Sequence, residues 1–302
     1  MVAQLLTRKR RSSLFRRQAI DGWVFASGVV GGTIIFNIIP MLFSFLTGFT
    51  EWDGVHIPQF NGISNYIDMF HDKFFWSSLS NTIYFTLANI PFSVVTGLLL
   101  AILINRQLPL VNWFRAAFFS PVVTSTVAIA IVWRWIFAPY YGIFNMILGW
   151  FGIQGPEWLN DTRWAMLAVI IVTIWQSSGY NMILYLAGLQ GISKTLYEAA
   201  KIDGAGEWQQ FLYITVPLIS PTTFFILIMS FISSFQVFGL IYVMTNGGPA
   251  YSTMVYIYYL FQNAFNFFKM GYASSLAWVL FLIIGLVTLI QWKLQSRWVF
   301  YR

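Results

Sequence analysis

The sequence predicts an all-α, polytopic membrane protein with six transmembrane helices. Charged residues make up only 9% of 302, hydrophobic residues make up 58%, and the mean hydropathy is +0.68. Charge-free runs at 74–105, 116–133, 164–193 and 208–268 are long enough to cross about 30 Å of hydrocarbon as helices, which takes roughly 20 residues. A membrane barrel would instead show segments of about 10 residues with alternating polarity, which these runs lack. The third observation is the sidedness of the remaining charge, which emerges once the spans are laid out in order.

Arg8, Lys9, Arg10, Arg11, Arg16 and Arg17 precede an apolar run at 22–48. That run is longer than a signal-peptide core and no small-residue cleavage pattern follows it, so it reads as a retained first helix behind a cytoplasmic basic segment, 1–21. Further spans are expected at 76–104, 116–137, 165–188, 217–243 and 271–292, giving a six-helix domain over 22–302. Alternating sides then places 13 of the 17 basic residues, and both termini, in the cytoplasm. Lys73, Arg134, Arg163 and Lys269 fall outside with six of the ten acids: Glu51, Asp53, Asp68, Asp72, Glu157 and Asp161. This is the positive-inside pattern, so the net charge of +7 tracks membrane sides and does not point to nucleic acid.

The 61 uncharged positions at 208–268 exceed one helix, and Asn246-Gly247-Gly248-Pro249 supplies the break, a turn at the outer face. An aromatic helix at the outer interface is expected over 252–268, and another short one over 142–150.

Several chemistries are excluded or disfavoured. There is no cysteine, hence no thiolate catalysis, disulfide or thiolate metal site. None of the six lysines follows a glycine, so no phosphate-cradling loop exists and the chain cannot be an ATPase of that type. His56 and His71 lack any H-E-x-x-H arrangement, and no metal site is expected. Within the spans only Arg134 is charged, near an outer end where it can snorkel.

The most informative segment is the polar island at 190–221, with Glu198, Lys201, Asp203 and Glu207 inside ten residues. Such charge between apolar spans needs water or a protein partner around it. Ser193 can cap a helix beginning near Lys194, Gly204 and Gly206 end or bend it, and a second helix begins near Glu207. Pro217 and Pro221 mark entry into the next span. The expected product is a short helix-turn-helix across the inner membrane face, on the cytoplasmic side.

The string E-A-A-K-I-D-G-A at 198–205, followed by Phe211, Ile214, Pro217 and Pro221, resembles the coupling motif of permease subunits of ATP-binding-cassette importers. It is most similar to the carbohydrate-uptake branch that includes the maltose and glycerol-3-phosphate permeases. Gly62-Ile63-Ser64-Asn65-Tyr66, Trp133-Arg134-Trp135-Ile136-Phe137 with Gly142 and Asn145, and Thr245 to Ala250 extend the likeness. The last string is similar to the large-subunit type, and the likeness runs from about 62 to the end.

The resemblance implies a type I importer permease fold, of the MetI-like kind, in a bacterial inner membrane. It implies that Glu198, Ala199, Ala200, Asp203, Gly204 and Ala205 couple to ATPase subunits. It implies partners: a second permease subunit, two ATPase subunits that hold the ATP and Mg, an external solute-binding protein, and a sugar, oligosaccharide or polyol. No cofactor is expected on this chain, which is a transport subunit and no enzyme. For the substrate path the fourth span offers Thr173, Gln176, Ser177, Tyr180 and Asn181, and the fifth offers Ser230, Ser233, Ser234 and Gln236. By count from the motif, Gln176, Ser177, Tyr180, Ser230 and Ser234 resemble sugar-facing positions of the maltose permease, with Thr124 and Thr126 in the third span as weaker candidates. The alternative for each is an ordinary helix-helix hydrogen bond, which serine and threonine make routinely in membranes. An ion-coupled secondary transporter is the alternative function, and it would predict carboxylates within the spans.

Overall fold

The computed structural model describes residues 2–106 and 110–300, with side chains from 18 onward. The basic residues Arg8 to Arg17 and Arg302 therefore lie outside the described side chains. Five helices are long and apolar enough to cross a membrane: Gln18–Thr47, Lys73–Asn105, Ala165–Gln190, Glu207–Phe235 and Met270–Gln295. The pair Val111–Val123 and Thr126–Ile136, bent by 102° at its break, is together long and apolar enough to count as a sixth. Five of the expected six spans are thus present as long helices and the third as this bent pair, so the structure supports five to six, and the third and fifth differ from their expected form.

The third span, expected as one helix over 116–137, is broken at Thr124 and Ser125. Pro121 lacks the N–H that would bond the Ala117 carbonyl, and Ser120 Oγ donates to that carbonyl instead, at 2.9 Å. Thr124 Oγ1 donates to the Ser120 carbonyl at 2.7 Å while its own backbone turns extended, with ψ 142°. Hydroxyl groups thus take up the carbonyls that the break releases, which makes it tolerable at membrane depth.

The fifth span begins ten residues before the expected 217 and ends at Phe235, with a separate helix, Gly239–Met244, beyond it. The prolines do not mark its start, because Phe211–Thr215 adopts the wider π register and Val216 N–H bonds the Phe211 carbonyl. That wide turn lets the helix run through Pro217, which has no N–H to give. The same device occurs in the first span, where Ile39 N–H bonds the Ile34 carbonyl one residue before Pro40. The second arm of the expected helix-turn-helix is therefore the opening of the fifth span itself.

The Ala165–Gln190 helix is the centre of the fold. Its most extensive contact is with Lys73–Asn105, and it also packs on Val111–Val123 and on the fifth span. Close approach requires small residues on these seams, because helices in lipid gain little from hydrophobic exclusion and depend on packing. A Cβ on Gly97 would lie 2.5 Å from Asn181 Cβ, one on Gly179 would lie 2.0 Å from the Phe118 carbonyl oxygen, and one on Gly188 would lie 2.6 Å from Thr222 Oγ1. Buried residues of this helix join two apolar cores, with Val169 and Val172 in one, and Met182, Tyr185 and Leu189 in the other.

The outer cap is tied down by polar groups. Asp72 caps the second span by accepting from Phe74 N–H at 2.8 Å, and it also accepts the hydroxyls of Tyr259 and Tyr272. Burial, with the bond to Asp72 adding to it, pushes the Tyr259 hydroxyl up to about 12, so it stays a donor at neutral pH. The helix Tyr256–Phe261 was expected at the outer interface, yet Tyr256, Tyr258 and Tyr259 are buried. Tyr258 donates to the Asn246 carbonyl at 2.9 Å and so clamps the expected turn, where Asn246 and Gly247 have φ of 51° and 78°. The expected short helix forms at Ile143–Trp150, where Asn145 Nδ2 bonds the carbonyls of Pro139 and Pro156 and Trp158 Nε1 donates to Asn145 Oδ1. Among the described residues, the first span docks through its outer end, with Thr47 Oγ1 3.1 Å from Ser274 Oγ and Phe45 edge-on to Trp278.

Filling the tightest seam should break this arrangement. Gly179→Leu forces the third and fourth spans apart and should cost about 3 kcal/mol or more, read as a large fall in thermal midpoint in detergent. Gly149→Ala, which meets nothing within 4 Å, should leave the midpoint within a degree or two of the parent.

Candidate coupling segment and translocation path

The coupling segment begins three residues after the fourth span ends at Gln190. Ser193 adopts an extended conformation and its Oγ accepts from Thr195 N–H, which opens the helix Lys194–Ile202. The helix closes in a Schellman arrangement: Ala205 N–H bonds the Ala200 carbonyl at 2.8 Å, and Gly204 N–H bonds the Lys201 carbonyl at 3.1 Å. Gly204 has φ of 81°, which disfavours any residue with a Cβ. Gly206 N–H then donates to Gln209 Oε1 at 2.9 Å, and the fifth span starts at Glu207.

This short helix has two distinct faces. Tyr197 is half-buried and its hydroxyl sits 2.9 Å from Thr215 Oγ1, while Ala200 and Ala205 are also half-buried. Gln210 is buried and donates to the Ala205 carbonyl at 2.8 Å, so both ends are bound to the fifth span. On the other face Thr195, Glu198, Ala199 and Ile202 follow helical spacing and are exposed, as are Asp203 and Gly204. Ile202 is 87% exposed and Trp208 69%, which leaves bare apolar side chains among carboxylates. Sequence reasoning did not single out Ile202 or Trp208 as contact residues. The available signal was the one-face spacing of 195, 198, 199 and 202.

The candidate path residues divide. Gln176 is half-buried and its Nε2 donates to Thr126 Oγ1 at 3.4 Å, while Gly239 packs against the same threonine, an added Cβ lying 3.3 Å from Thr126 Cγ2. Two helix breaks, at Thr124 and Ser125 in the third span and over 236–238 in the fifth, thus converge on Gln176. Ser177 and Ser230 are half-buried, and Ser177 Oγ donates to the Ile174 carbonyl at 3.3 Å. Tyr180 is 41% exposed. Thr124, Ser233 and Gln236 are exposed, and Thr173 is half-buried. Two others belong to helix seams: Ser234 is buried and accepts from Asn89 Nδ2 at 3.1 Å, and buried Asn181 donates to the Ser93 carbonyl at 3.2 Å. Among the described residues no group of His, Cys, Asp and Glu could hold a metal ion.

Gly204→Val puts a β-branched residue at positive φ and should cost the helix end about 1–2 kcal/mol. Hydrogen exchange should show it as roughly tenfold faster exchange at the Gly204 and Ala205 amides, with the fourth span unchanged.

Residues 62–300 match the family model described as binding-protein-dependent transport system inner membrane component. The chain is 38% identical over 297 residues to the probable ABC transporter permease protein YesP of Bacillus subtilis, covering 97% of this chain and 96% of that one. It is 34% identical over 287 residues to the lactose transport system permease protein LacF of Rhizobium radiobacter, covering 93% and 96%. Its fold superposes with a TM-score of 0.82 on a chain of a bacterial alginate ABC transporter solved in complex with an alginate pentasaccharide-bound periplasmic protein. That pair is 22% identical, and the match covers 95% of this chain and 96% of that one. The broken third span, the coupling helix and these matches lead to one conclusion: the chain is a multi-pass membrane subunit belonging to the binding-protein-dependent ABC transport permease family.

Proposed function

We propose that this permease carries a neutral sugar, oligosaccharide or polyol inward across the bacterial inner membrane, with both termini in the cytoplasm. It works with a second permease, two ATPase subunits that hold ATP and Mg, and an external solute-binding protein. The observation that carries the reading is the placement of an exposed coupling face, Glu198, Ala199, Ile202 and Asp203, on a helix joined to the fourth span by three residues. That span bears Gln176 and Tyr180. Energy must enter from another chain, because this one has no phosphate-binding loop, and a protruding helix with exposed apolar groups and charges of both signs, Glu198 and Asp203 beside Lys194 and Lys201, suits a cleft with an apolar floor and a charged rim.

The substrate class follows from the path chemistry. Gln176, Ser177, Thr126 and Tyr180 offer amide and hydroxyl groups that pair with sugar hydroxyls, and the Tyr180 ring can stack on a pyranose face. A phosphorylated substrate would need cations there, and Gln176, Ser177, Thr126 and Tyr180 are all uncharged, with Arg134 at the outer end of the broken span. LacF, whose name specifies lactose, supports a carbohydrate. The ion-coupled alternative gives way to the family assignment.

Gln176→Ala with Tyr180→Ala should lower ATP-driven uptake about tenfold or more in proteoliposomes holding the complete importer, with assembly intact by size exclusion. Uptake at the parent rate would refute this pocket.

A further inference from the structure

Arg134 is the cation of the Thr126–Ile136 arm of the broken third span, Arg115 standing in the other arm, Val111–Val123, and no carboxylate pairs with Arg134 among the described residues. It ends the helix Thr126–Ile136, and one guanidinium nitrogen donates to the Val243 carbonyl at 3.3 Å, at the end of Gly239–Met244. Among the described residues it has no ion-pair partner and no second hydrogen bond. A guanidinium carries five N–H groups, so four remain to be satisfied. Arg134 lines a cavity of about 360 Å³ together with Asn160, Thr245 and Asn246 on the polar side and Leu159 and Met244 on the apolar side. No carboxylate borders that cavity.

We propose that this cavity receives a carboxylate side chain of the docked solute-binding protein, which pairs with Arg134. The proposal rests on the importer reading above. Three observations favour a protein carboxylate over one carried by the substrate. Arg134 is exposed and stands eight residues from Thr126, about 12 Å outward of the Gln176 contact along the helix. The path groups around Gln176 are neutral, so a substrate carboxylate would find no cation at that contact. The cavity wall is mostly polar, with Leu159 and Met244 as apolar members, which suits an aspartate or glutamate held by a surrounding protein surface. Because Arg134 also holds the end of Gly239–Met244, whose first residue packs on Thr126, docking here bears directly on the two helix breaks that meet at Gln176.

The test uses the complete importer in lipid nanodiscs, titrated with its solute-binding protein, and reads the concentration that half-maximally stimulates ATP hydrolysis. Arg134→Gln should raise that concentration about fivefold and flatten its dependence on salt, while Arg134→Lys should retain most of both. Arg134→Gln also loses the Val243 contact, so Asn160→Asp is the second variant. It adds a carboxylate to the cavity, keeps the Arg134 bond, and should weaken docking in the same way. Unchanged half-saturation in both variants overturns the proposal. So does a defect confined to uptake of carboxylate-bearing sugars, which would assign the cation to the substrate. A parent complex that the binding protein fails to stimulate would instead refute the importer reading itself.

Discussion

The structure depends on how closely the fourth span can approach its neighbours. Gly179 lets it sit on the backbone of the third span, Gly97 admits it against the second, and Gly188 against the fifth. In lipid, where apolar surface gains little from leaving its solvent, such backbone proximity together with bonds like Asn181 to Ser93 is what holds helices at fixed positions. The polar groups of the fourth span are sorted by this packing. Asn181 and Tyr185 face the seams, and Gln176, Ser177 and Tyr180 lie on the half-buried to exposed side.

That packing makes the coupling segment mechanically significant. Its helix is joined to the fourth span by Gly191 to Ser193 and to the fifth by Asp203 to Gly206, and both connections are short and hydrogen-bonded. The Tyr197 to Thr215 contact and the Gln210 to Ala205 bond fasten its inner face to the fifth span. A push on Glu198, Ala199 or Ile202 is therefore delivered to the fourth span, which carries Gln176, and to the fifth, which the break over 236–238 follows. A two-state change of the bundle can be biased in this way only if a partner contacts the helix differently in the two states.

Hydrophobic length made the crossings legible, and capping chemistry at Ser193 and Gly204 fixed the ends of the coupling helix to within a residue. The breaks were harder to read. Across 116–137 apolar character is continuous, so Pro121 with Ser120, Thr124, Ser125 and Thr126 was the only mark of a bend, and hydroxyls at membrane depth also occur in unbroken helices. Pro217 suggested a helix start because its missing N–H favours the first turn, but the π turn before it removes that constraint. Tyr256, Tyr258 and Tyr259 were expected at an interface because aromatic content does not distinguish a buried cap from an exposed belt. Tertiary bonds to Leu276, Asn246 and Asp72 decide it. Ser234 could be told from Ser230 only by finding Asn89 opposite it.

The Tyr197 to Thr215 and Gln210 to Ala205 contacts make the coupling helix and the fifth span move as one body. Because the chain has no native cysteine, Tyr197→Cys and Thr215→Cys can be joined selectively by a short thiol-specific cross-linker. ATP-driven uptake by the complete importer should then proceed at close to the rate of the same double variant before cross-linking. Loss of uptake on cross-linking, restored when a cleavable linker is cut, would contradict the account by showing that the helix must shift against the span.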